Sequence, residues 1–299
     1  MNEEIETLKD EIIKHNSLQR KPLHSALLDL DDEELEDLSS YISICMSNGE
    51  NIEYLASCYN TVTQDMIKEQ MYFQRERKYR YSKFSDVANS VYHNSEYMKK
   101  YMHGLALTSF LWPNHIEMKR FFFKSLPKDT GGTYLEIGPG HGFYFSSAMR
   151  WSSFDSYHAI DVSETSVSMT NRLVKELVKY DKLNYSVDCI DLFTLPASTK
   201  YEAVVMGEVL EHVENPQDFL EKIRSITHEY SYIYVSTCIN APAVDHIYLF
   251  RNINDVLHLI DRSGLQVVEQ CIIPYAGKTL KESMDEMLPI NIALSLKKA

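Results

Sequence analysis

From Gly131 onward, short apolar runs rich in β-branched and aromatic residues alternate with runs of helical periodicity. The β-type runs cover residues 133–137, 156–160, 185–189, 203–206, 232–236, 265–273 and 290–296. Strands that alternate with helices pack as a mostly parallel sheet with helices on both faces. The last two runs are close enough for a hairpin-like ending with one antiparallel strand. The sequence therefore predicts a doubly wound α/β fold in this half of the chain.

The first 125 residues have a different texture. They show helical periodicity and almost no strand signal, with helical runs near 59–80, 94–107 and 114–124. Four acids at 31–34 suit the start of a further helix, because negative charge is favourable at a helix N-terminus. A linker at 126–132, containing Pro127 and two glycines, separates the two textures. We therefore predict an all-α N-terminal domain over 1–125, a lid or a dimerisation element, and an α/β domain over 126–299.

Charge and cysteine usage restrict the environment and the partners. The chain of 299 residues has a net charge of −13, and residues 1–66 hold 15 acids against four bases. Such a surface repels a phosphate backbone, which argues against nucleic acid as a partner. No run of about 18 apolar residues occurs, so we expect no membrane span. The N-terminus lacks the pattern of a secretory signal, and the five scattered cysteines form no CxxC pair, so we expect a cytoplasmic protein with reduced thiols.

A glycine-rich turn follows the first apolar run and precedes a helix. It reads Gly138-Pro139-Gly140-His141-Gly142, with Glu136 two residues before it. Glycines there allow a tight turn and let a ligand approach the backbone closely. Asp161 ends the next run, 21 residues after Gly140, which is the offset at which an acid accepts hydrogen bonds from ribose hydroxyls. The pair of features predicts a nucleoside-binding site.

This arrangement resembles motif I of the class I S-adenosylmethionine-dependent methyltransferases. Phe143 stands where a dinucleotide fingerprint would have its third glycine. Asp191 and Leu192 resemble the third element of that family, where an acid takes the adenine amine, with Asp188 as the competing choice. Residues 204–213 resemble the fourth element, and the likeness extends over about 115–299.

The resemblance implies a Rossmann-like sheet of seven strands with the last one antiparallel, and S-adenosylmethionine as the cofactor. Carried over residue by residue, it implies one cofactor-binding set. These residues are Glu136, Gly138, Gly140, Gly142, Asp161, Val162, Asp191, Leu192 and Gly207.

A Glu-His cluster follows the fourth run. Glu208, Glu211 and His212 are spaced i, i+3 and i+4, so they would share one face if this segment were helical. The cluster resembles the ExxEH element of ubiquinone-pathway O-methyltransferases and of small-RNA 2′-O-methyltransferases, whose metal site adds a later histidine, here His246. A divalent cation, Mg²⁺ or Mn²⁺, is one interpretation. In the other, His212 and His246 shape a metal-free pocket or act on a proton.

The stretch at 101–115 is rich in aromatic residues and methionine. Tyr101, Trp112 and His115 are the candidate substrate contacts, although such a stripe is more often plain core. Together these observations indicate a methyltransferase acting on an oxygen or nitrogen of a small molecule, either natural-product-like or a polar metabolite. A metal-dependent RNA 2′-O-methyltransferase and a non-catalytic cofactor-binding module are the alternatives. Whether the chain forms a homodimer stays open.

Overall fold

The computed structural model describes residues 2–178 and 184–299. Helices occupy the N-terminal part, as the sequence predicts. They are α1 (Glu3–His15), α2 (Arg20–Asp29), α3 (Asp32–Ser47), α4 (Ile52–Glu76), α5 (Phe84–Val87), α6 (Ser95–Leu111) and α7 (Pro113–Ser125). A π-helical turn, Ala88–Tyr92, follows α5.

Side-chain caps determine where several of these helices begin. The Asp31 side chain accepts a hydrogen bond from the Glu34 amide, and the Glu34 side chain accepts one from the Asp31 amide, which closes a capping box at α3. The side chains of Asn51 and Asn94 likewise accept hydrogen bonds from backbone amides in the first turns of α4 and α6. The acids of 31–34 thus start a helix as expected, and apolar residues of α1 to α4 and α6 meet in one core cluster.

The rest of the chain folds into one seven-stranded sheet, and the fold-class prediction is confirmed. The strands are β1 (Thr133–Ile137), β2 (Ser156–Asp161), β3 (Tyr185–Cys189), β4 (Tyr201–Gly207), β5 (Thr227–Ile239), β6 (Leu265–Ile273) and β7 (Ile290–Lys298). Their order is β3-β2-β1-β4-β5-β7-β6. Strand β7 runs antiparallel to both neighbours, whereas β1 pairs in parallel with β2 and β4, β2 with β3, and β4 with β5.

Both faces of the sheet are buried. Along β4, Val204 and Met206 belong to one apolar cluster, whereas Ala203 and Val205 belong to another. Successive side chains of a strand point to opposite faces, so the two clusters cover the two sides. The helices of this part are α8 (Phe143–Trp151), α9 (Glu164–Leu177), α10 (Pro216–Ser225), α11 (Ile253–Arg262) and α12 (Leu280–Asp285).

The N-terminal helices are joined to the α/β part by ion pairs between acids of the first segment and bases of the second. Asp37 pairs with Arg150 of α8 and Glu50 with Arg172 of α9, whereas Glu34 pairs with Arg120 of α7 within the helical part. Much of the acidic charge of the first segment therefore lies in contacts within the protein. The division at residue 125 stays a prediction. Among the residues that the structure describes, no helix has the length and apolarity that a bilayer crossing requires.

Candidate active site

One large cavity, of about 1110 Å³, lies between the N-terminal helices and the sheet. The turns that follow β1, β2 and β4 line one side of it, and residues of α4, α6 and the segment 84–92 line the other. In a doubly wound sheet, ligands bind in the crevice beyond the carboxyl ends of the strands. The cavity occupies that place, so the sequence-predicted site residues can be located against it.

The glycine turn forms part of the cavity wall through Gly138 and Gly140. Both have positive φ, +68° and +55°, a conformation that L side chains rarely adopt. A Cβ on Gly138 would approach Val209 Cγ2 to 2.8 Å, and one on Gly140 would point at Met102. Gly142 differs, because it does not line the cavity. It caps the start of α8 with φ +87°, and a Cβ there would lie 2.9 Å from the Thr170 Cα atom.

Asp161 connects the glycine turn to the end of β2. Its carboxylate accepts hydrogen bonds from the Gly140 amide at 3.3 Å and the Ser163 amide at 2.8 Å. Burial raises the pKa of this carboxyl to about 6, and the two amide hydrogen bonds oppose that rise. Val162 lies beside it on the cavity wall. The carboxylate therefore sits where the offset from the glycine turn predicts a ribose-binding acid.

The third and fourth elements also reach the cavity. Asp191, Leu192 and Gly207 line it, and Asp191 accepts a hydrogen bond from the Phe193 amide that starts a short 3₁₀ turn. Asp188, the competing choice, is exposed on β3 and lies 3.0 Å from His158 Nε2 instead. The geometry thus favours Asp191 over Asp188 as the residue that faces a bound ligand.

Glu136 is buried at the end of β1 and lines the cavity. Its carboxyl group accepts a hydrogen bond from the Tyr134 hydroxyl at 2.6 Å. Burial raises the pKa of Glu136 to about 8, more than the Tyr134 hydrogen bond lowers it. This carboxyl is therefore largely protonated near neutral pH while no ligand contacts it.

The segment after β4 is not the helix on which the shared-face argument depends. Glu208 has φ +52°, in the left-handed region, and only Leu210–His212 form a 3₁₀ turn. The i, i+3, i+4 interpretation is therefore wrong in its geometry, because the chain turns sharply at the end of β4. Glu208, Glu211 and His212 nevertheless all line the cavity. The sharp turn thus brings these three side chains to the cavity, whereas a helix would have placed them on one of its faces.

Glu208 and Glu211 each carry one buried carboxylate oxygen that has no hydrogen-bond partner among residues 2–178 and 184–299. Glu211 accepts a hydrogen bond from Thr237 on one oxygen at 2.7 Å, and its other oxygen is unpaired. Glu208 has one weak contact, from the Asn291 amide at 3.5 Å, and one unpaired oxygen. Burial raises the pKa of both groups, and for Glu211 the neighbouring Glu208 charge adds to that rise.

Contacts with Asp245 hold the His212 ring in place. The His212 Nδ1–H donates to the Asp245 carbonyl oxygen at 3.2 Å, and the Asp245 carboxylate lies 3.4 Å from the same nitrogen. Because a carbonyl oxygen can only accept, the proton is assigned to Nδ1, which leaves the Nε2 lone pair free. Two phenols, Tyr92 at 3.2 Å and Tyr101 at 3.1 Å, donate to the Asp245 carboxylate.

His246 stands across from His212, with 4.7 Å between the ring centroids. Its Nδ1–H donates to the Ala241 carbonyl oxygen at 2.6 Å, so its Nε2 is free as well. Burial, followed by the charge of His212, lowers the pKa of His246 to about 3, which keeps the ring neutral. Ligand atoms lie within 4.8 Å of one another in two sets, Glu211 with Cys238 and His246, and His212 with Asp245 and His246.

The three candidate substrate residues all line the cavity, but they do not form one group. Tyr101 contacts Asp245, beside His212. Trp112 and His115 contact each other, with ring centroids 5.1 Å apart, and Trp112 also donates a hydrogen bond to Tyr59. The charge of His115 contributes to the lowered pKa of His141 in the glycine turn, so this pair lies toward the nucleoside end.

Four cavity residues escaped the sequence interpretation: Tyr92, Cys238, Asp245 and Asn291. Asp245 directly precedes His246, so an acid next to a candidate histidine was the available signal. The others carried none, because they lie far from the motifs in sequence and reach the site only through the tertiary fold. A doubly wound sheet with a glycine turn and a ribose-facing acid defines a nucleoside-binding α/β protein.

Comparisons with known proteins place the chain more closely. A sequence model of the methyltransferase-domain family matches residues 116–286. The chain is 31% identical over 105 residues to the mitochondrial ubiquinone biosynthesis O-methyltransferase of Candida albicans, a match that covers 35% of this chain and 31% of that protein. The chain thus matches about a third of this curated relative's length.

Solved structures share the fold at low sequence identity. The [4+2]-cyclase SpnF superposes with a TM-score of 0.50 and 13% identity, covering 62% of this chain and 82% of SpnF. The cyclopropane synthase MmaA2 from Mycobacterium tuberculosis gives 0.50 and 11%, covering 63% of this chain and 85% of MmaA2. At such identities the likeness shows the fold alone.

The chain belongs to the methyltransferase-domain family, whose class I members use S-adenosylmethionine. The residues of the nucleoside end fit this cofactor. Gly138 and Gly140 leave the backbone free of side chains where a ligand would lie, and a buried carboxylate, Asp161, faces the same space. Sequence recognition of the family is therefore confirmed.

Proposed function

We propose that this enzyme methylates an oxygen or nitrogen atom of a small-molecule acceptor, with His212 as the group that takes the acceptor's proton. The observation that carries the proposal is the continuity of one cavity. It connects the glycine turn and Asp161 to His212, whose Nδ1–H donates to the Asp245 carbonyl oxygen. S-adenosylmethionine supplies an activated methyl group when bound, so the protein must orient the acceptor and remove its proton.

The residues have separate roles in this proposal. The cofactor-binding set inferred from the sequence, from Glu136 to Gly207, lies at the nucleoside end, with Gly142 supporting the turn from behind. Asp245 keeps the His212 proton on Nδ1, as a carboxylate does for a general-base histidine. His246 closes the site beside His212. Tyr101 contacts the acceptor, and Trp112 and His115 bound the cavity toward the glycine turn.

The setting of the protein supports a small acceptor over RNA. Nine carboxyl groups and a single lysine, with no arginine, line the cavity within the described ranges. Such a lining repels a phosphate backbone.

The five cysteines are all free, which fits the reducing cytosol that we propose as the compartment.

The proposal is tested by transfer of a tritiated methyl group to a panel of hydroxyl and amine acceptors. We expect His212→Gln to lower kcat about 100-fold with little change in KM, since a general base contributes about that much. His228→Gln is the matched control, because His228 is exposed on β5 and is not among the residues that line the cavity. Wild-type kcat in His212→Gln would contradict the role of His212.

A divalent cation, Mg²⁺ or Mn²⁺, is the second candidate for how the acceptor is activated. The two ligand sets favour it, and Glu211, His212 and His246 have the oxygen and nitrogen donors that such an ion accepts. The sequence prediction named Glu208 as a fourth ligand, and Glu208 is in neither set. A bound cation would lower the pKa of a hydroxyl acceptor.

Calorimetric titration of Mg²⁺ and Mn²⁺ into protein saturated with S-adenosylhomocysteine tests this candidate. Stoichiometric binding that His212→Ala abolishes would establish the metal site and point to an acceptor with two adjacent oxygens. The absence of binding at millimolar concentrations would leave His212 and His246 as a metal-free pair.

A further inference from the structure

The acceptor end of the cavity holds two carboxyl groups, Glu208 and Glu211, that pair with no lysine or arginine of the described ranges. Of the cavity-lining residues described, Lys278 is the one lysine, and it pairs with Glu286 instead. Glu208 and Glu211 each also direct an unpaired carboxylate oxygen into a buried position. Leaving such oxygens unpaired is costly, and a ligand that carries N–H donors and positive charge would relieve that cost.

The backbone is held in an unfavourable conformation to keep this arrangement. Glu208 adopts φ +52°, a left-handed conformation that a non-glycine residue seldom takes. Its amide donates to the Ser236 carbonyl oxygen at 3.0 Å, which anchors the turn to β5. Strain of this kind clusters at ligand sites, where the surrounding structure maintains it.

Aromatic rings line the same cavity near His212. Tyr92 lies edge-on to His212 at 6.5 Å between centroids, and Phe84 packs on Tyr92 at 5.2 Å. Both rings line the cavity together with Tyr101. Aromatic faces attract organic cations and contribute little to binding a bare metal ion.

The Asp245 carboxylate, a member of one candidate metal set, already accepts hydrogen bonds from Tyr92 and Tyr101. A metal ion that used both of its oxygens would displace those two phenols. The aromatic and carboxylate surroundings together favour an organic cation at this place.

We propose that the acceptor end binds molecules carrying a protonated amine, held by the carboxylates of Glu208 and Glu211 and by the rings of Tyr92 and Phe84. This inference rests on the proposed function, because it names the chemical class of its acceptor. A divalent metal is the other source of positive charge, and the experiment below separates the two.

The test uses matched pairs of probes that differ only in an ammonium or a hydroxyl group: tyramine and tyrosol, tryptamine and tryptophol, phenethylamine and 2-phenylethanol. Each is titrated calorimetrically into wild-type protein saturated with S-adenosylhomocysteine, once with EDTA and once with Mg²⁺. We expect the amine of at least one pair to bind about 10-fold or more tightly than its alcohol in EDTA. This comparison needs no variant and therefore no assumption about folding.

Variants identify the residues responsible. Glu211→Gln keeps an acceptor for the Thr237 hydroxyl while removing the charge, and we expect it to reduce the amine preference to about twofold or less. Tyr92→Leu should weaken amine binding about threefold or more, by loss of the aromatic face. Asp218→Asn is the control, because Asp218 is an exposed acid at the cavity rim, and there the preference should persist.

Several outcomes would overturn the inference. These are equal affinity for amine and alcohol in every pair, absence of binding by all six probes, or an unchanged preference in Glu211→Gln. Stoichiometric Mg²⁺ binding that abolishes amine binding would assign the positive charge to the metal instead. Methyl transfer to hydroxyl acceptors without amine binding would leave the proposed function intact, whereas failure to bind S-adenosylhomocysteine would remove the proposed function itself.

Discussion

Asp161 is the residue on which the placement of the nucleoside depends most directly. Its carboxylate is buried against two backbone amides and faces the cavity. We expect Asp161→Asn to weaken S-adenosylhomocysteine binding about 10- to 100-fold, since hydrogen bonds to a charged group contribute about 1.5–3 kcal/mol. Calorimetric titration measures this directly.

Asp188→Asn is the matched control for that variant, because Asp188 is exposed on β3 and contacts His158 instead. Its affinity should stay within about twofold of wild type. Since the pKa of Asp161 is about 6, wild-type affinity should fall as the pH drops below 6 and the carboxylate takes up a proton. An Asp161→Asn protein with wild-type affinity would refute the placement of the ribose.

Glu136 links protonation to stability. Its pKa is about 8 in the folded protein and about 4.5 when exposed, so the folded state binds more protons between these values. Stability of the ligand-free protein therefore falls as the pH rises from about 4.5 to 8, and the loss is complete above 8. Glu136→Gln keeps an acceptor for the Tyr134 hydroxyl and removes this dependence.

We measure the melting temperature of Glu136→Gln minus that of wild type at each pH. We expect this difference to become more positive from pH 5 to pH 8.5. Taking the difference between two proteins at each pH removes the contribution of the other titrating groups. A difference that stays constant over this range would show that Glu136 is ionised in both states.

At the scale of an element, the start of helix α8 needs Gly142 because of its packing against α9. Gly138 and Gly140, in contrast, line the cavity. A Cβ on Gly142 would lie 2.9 Å from the Thr170 Cα atom in α9, and backbone cannot move away as a side chain can. Gly142→Ala should therefore lower the free energy of unfolding by more than the 1–2 kcal/mol typical of a left-handed alanine. Urea denaturation measures the loss.

Gly277→Ala isolates the backbone contribution, because Gly277 has φ +77° and no atom within 4 Å of the added Cβ. The loss in Gly142→Ala should exceed that in Gly277→Ala by about 1 kcal/mol or more. Equal losses would mean that α8 and α9 separate easily at this contact.

The elements themselves were largely predictable. Strands β1, β3 and β6 have the bounds that the sequence indicated, because runs rich in apolar and β-branched residues mark them. Strand β5 was underestimated: it extends over Thr227–Ile239, whereas the pattern indicated 232–236. Its first part carries exposed polar residues such as Glu229 and Tyr230, and only pairing to neighbouring strands reveals it.

The whole molecule depends on the attachment of the N-terminal helices to the sheet. Glu50 is 5% exposed and lies between Lys99 of α6, at 2.8 Å, and Arg172 of α9, at 3.0 Å. Glu50→Gln leaves both cations without their carboxylate, and we expect a loss of about 3 kcal/mol in the free energy of unfolding.

Asp285→Asn breaks an exposed pair with Lys281 and should cost about 0.5 kcal/mol or less. Urea denaturation of the two variants gives the comparison. A similar small loss in both would mean that the N-terminal helices are held by apolar contacts alone.

The sequence by itself determined the α/β fold, the glycine turn, the acid at the end of β2 and the family, because these depend on residues that are close in the chain and on a strict strand-helix alternation. Only the tertiary structure decided the acceptor end. There, Tyr92 and Tyr101 meet Asp245 across more than 140 residues. The sharp turn at Glu208 also replaces the helix that spacing suggested. Side chains that meet through packing leave no periodic trace in the sequence, so their chemistry appears only once the sheet and the helices are assembled.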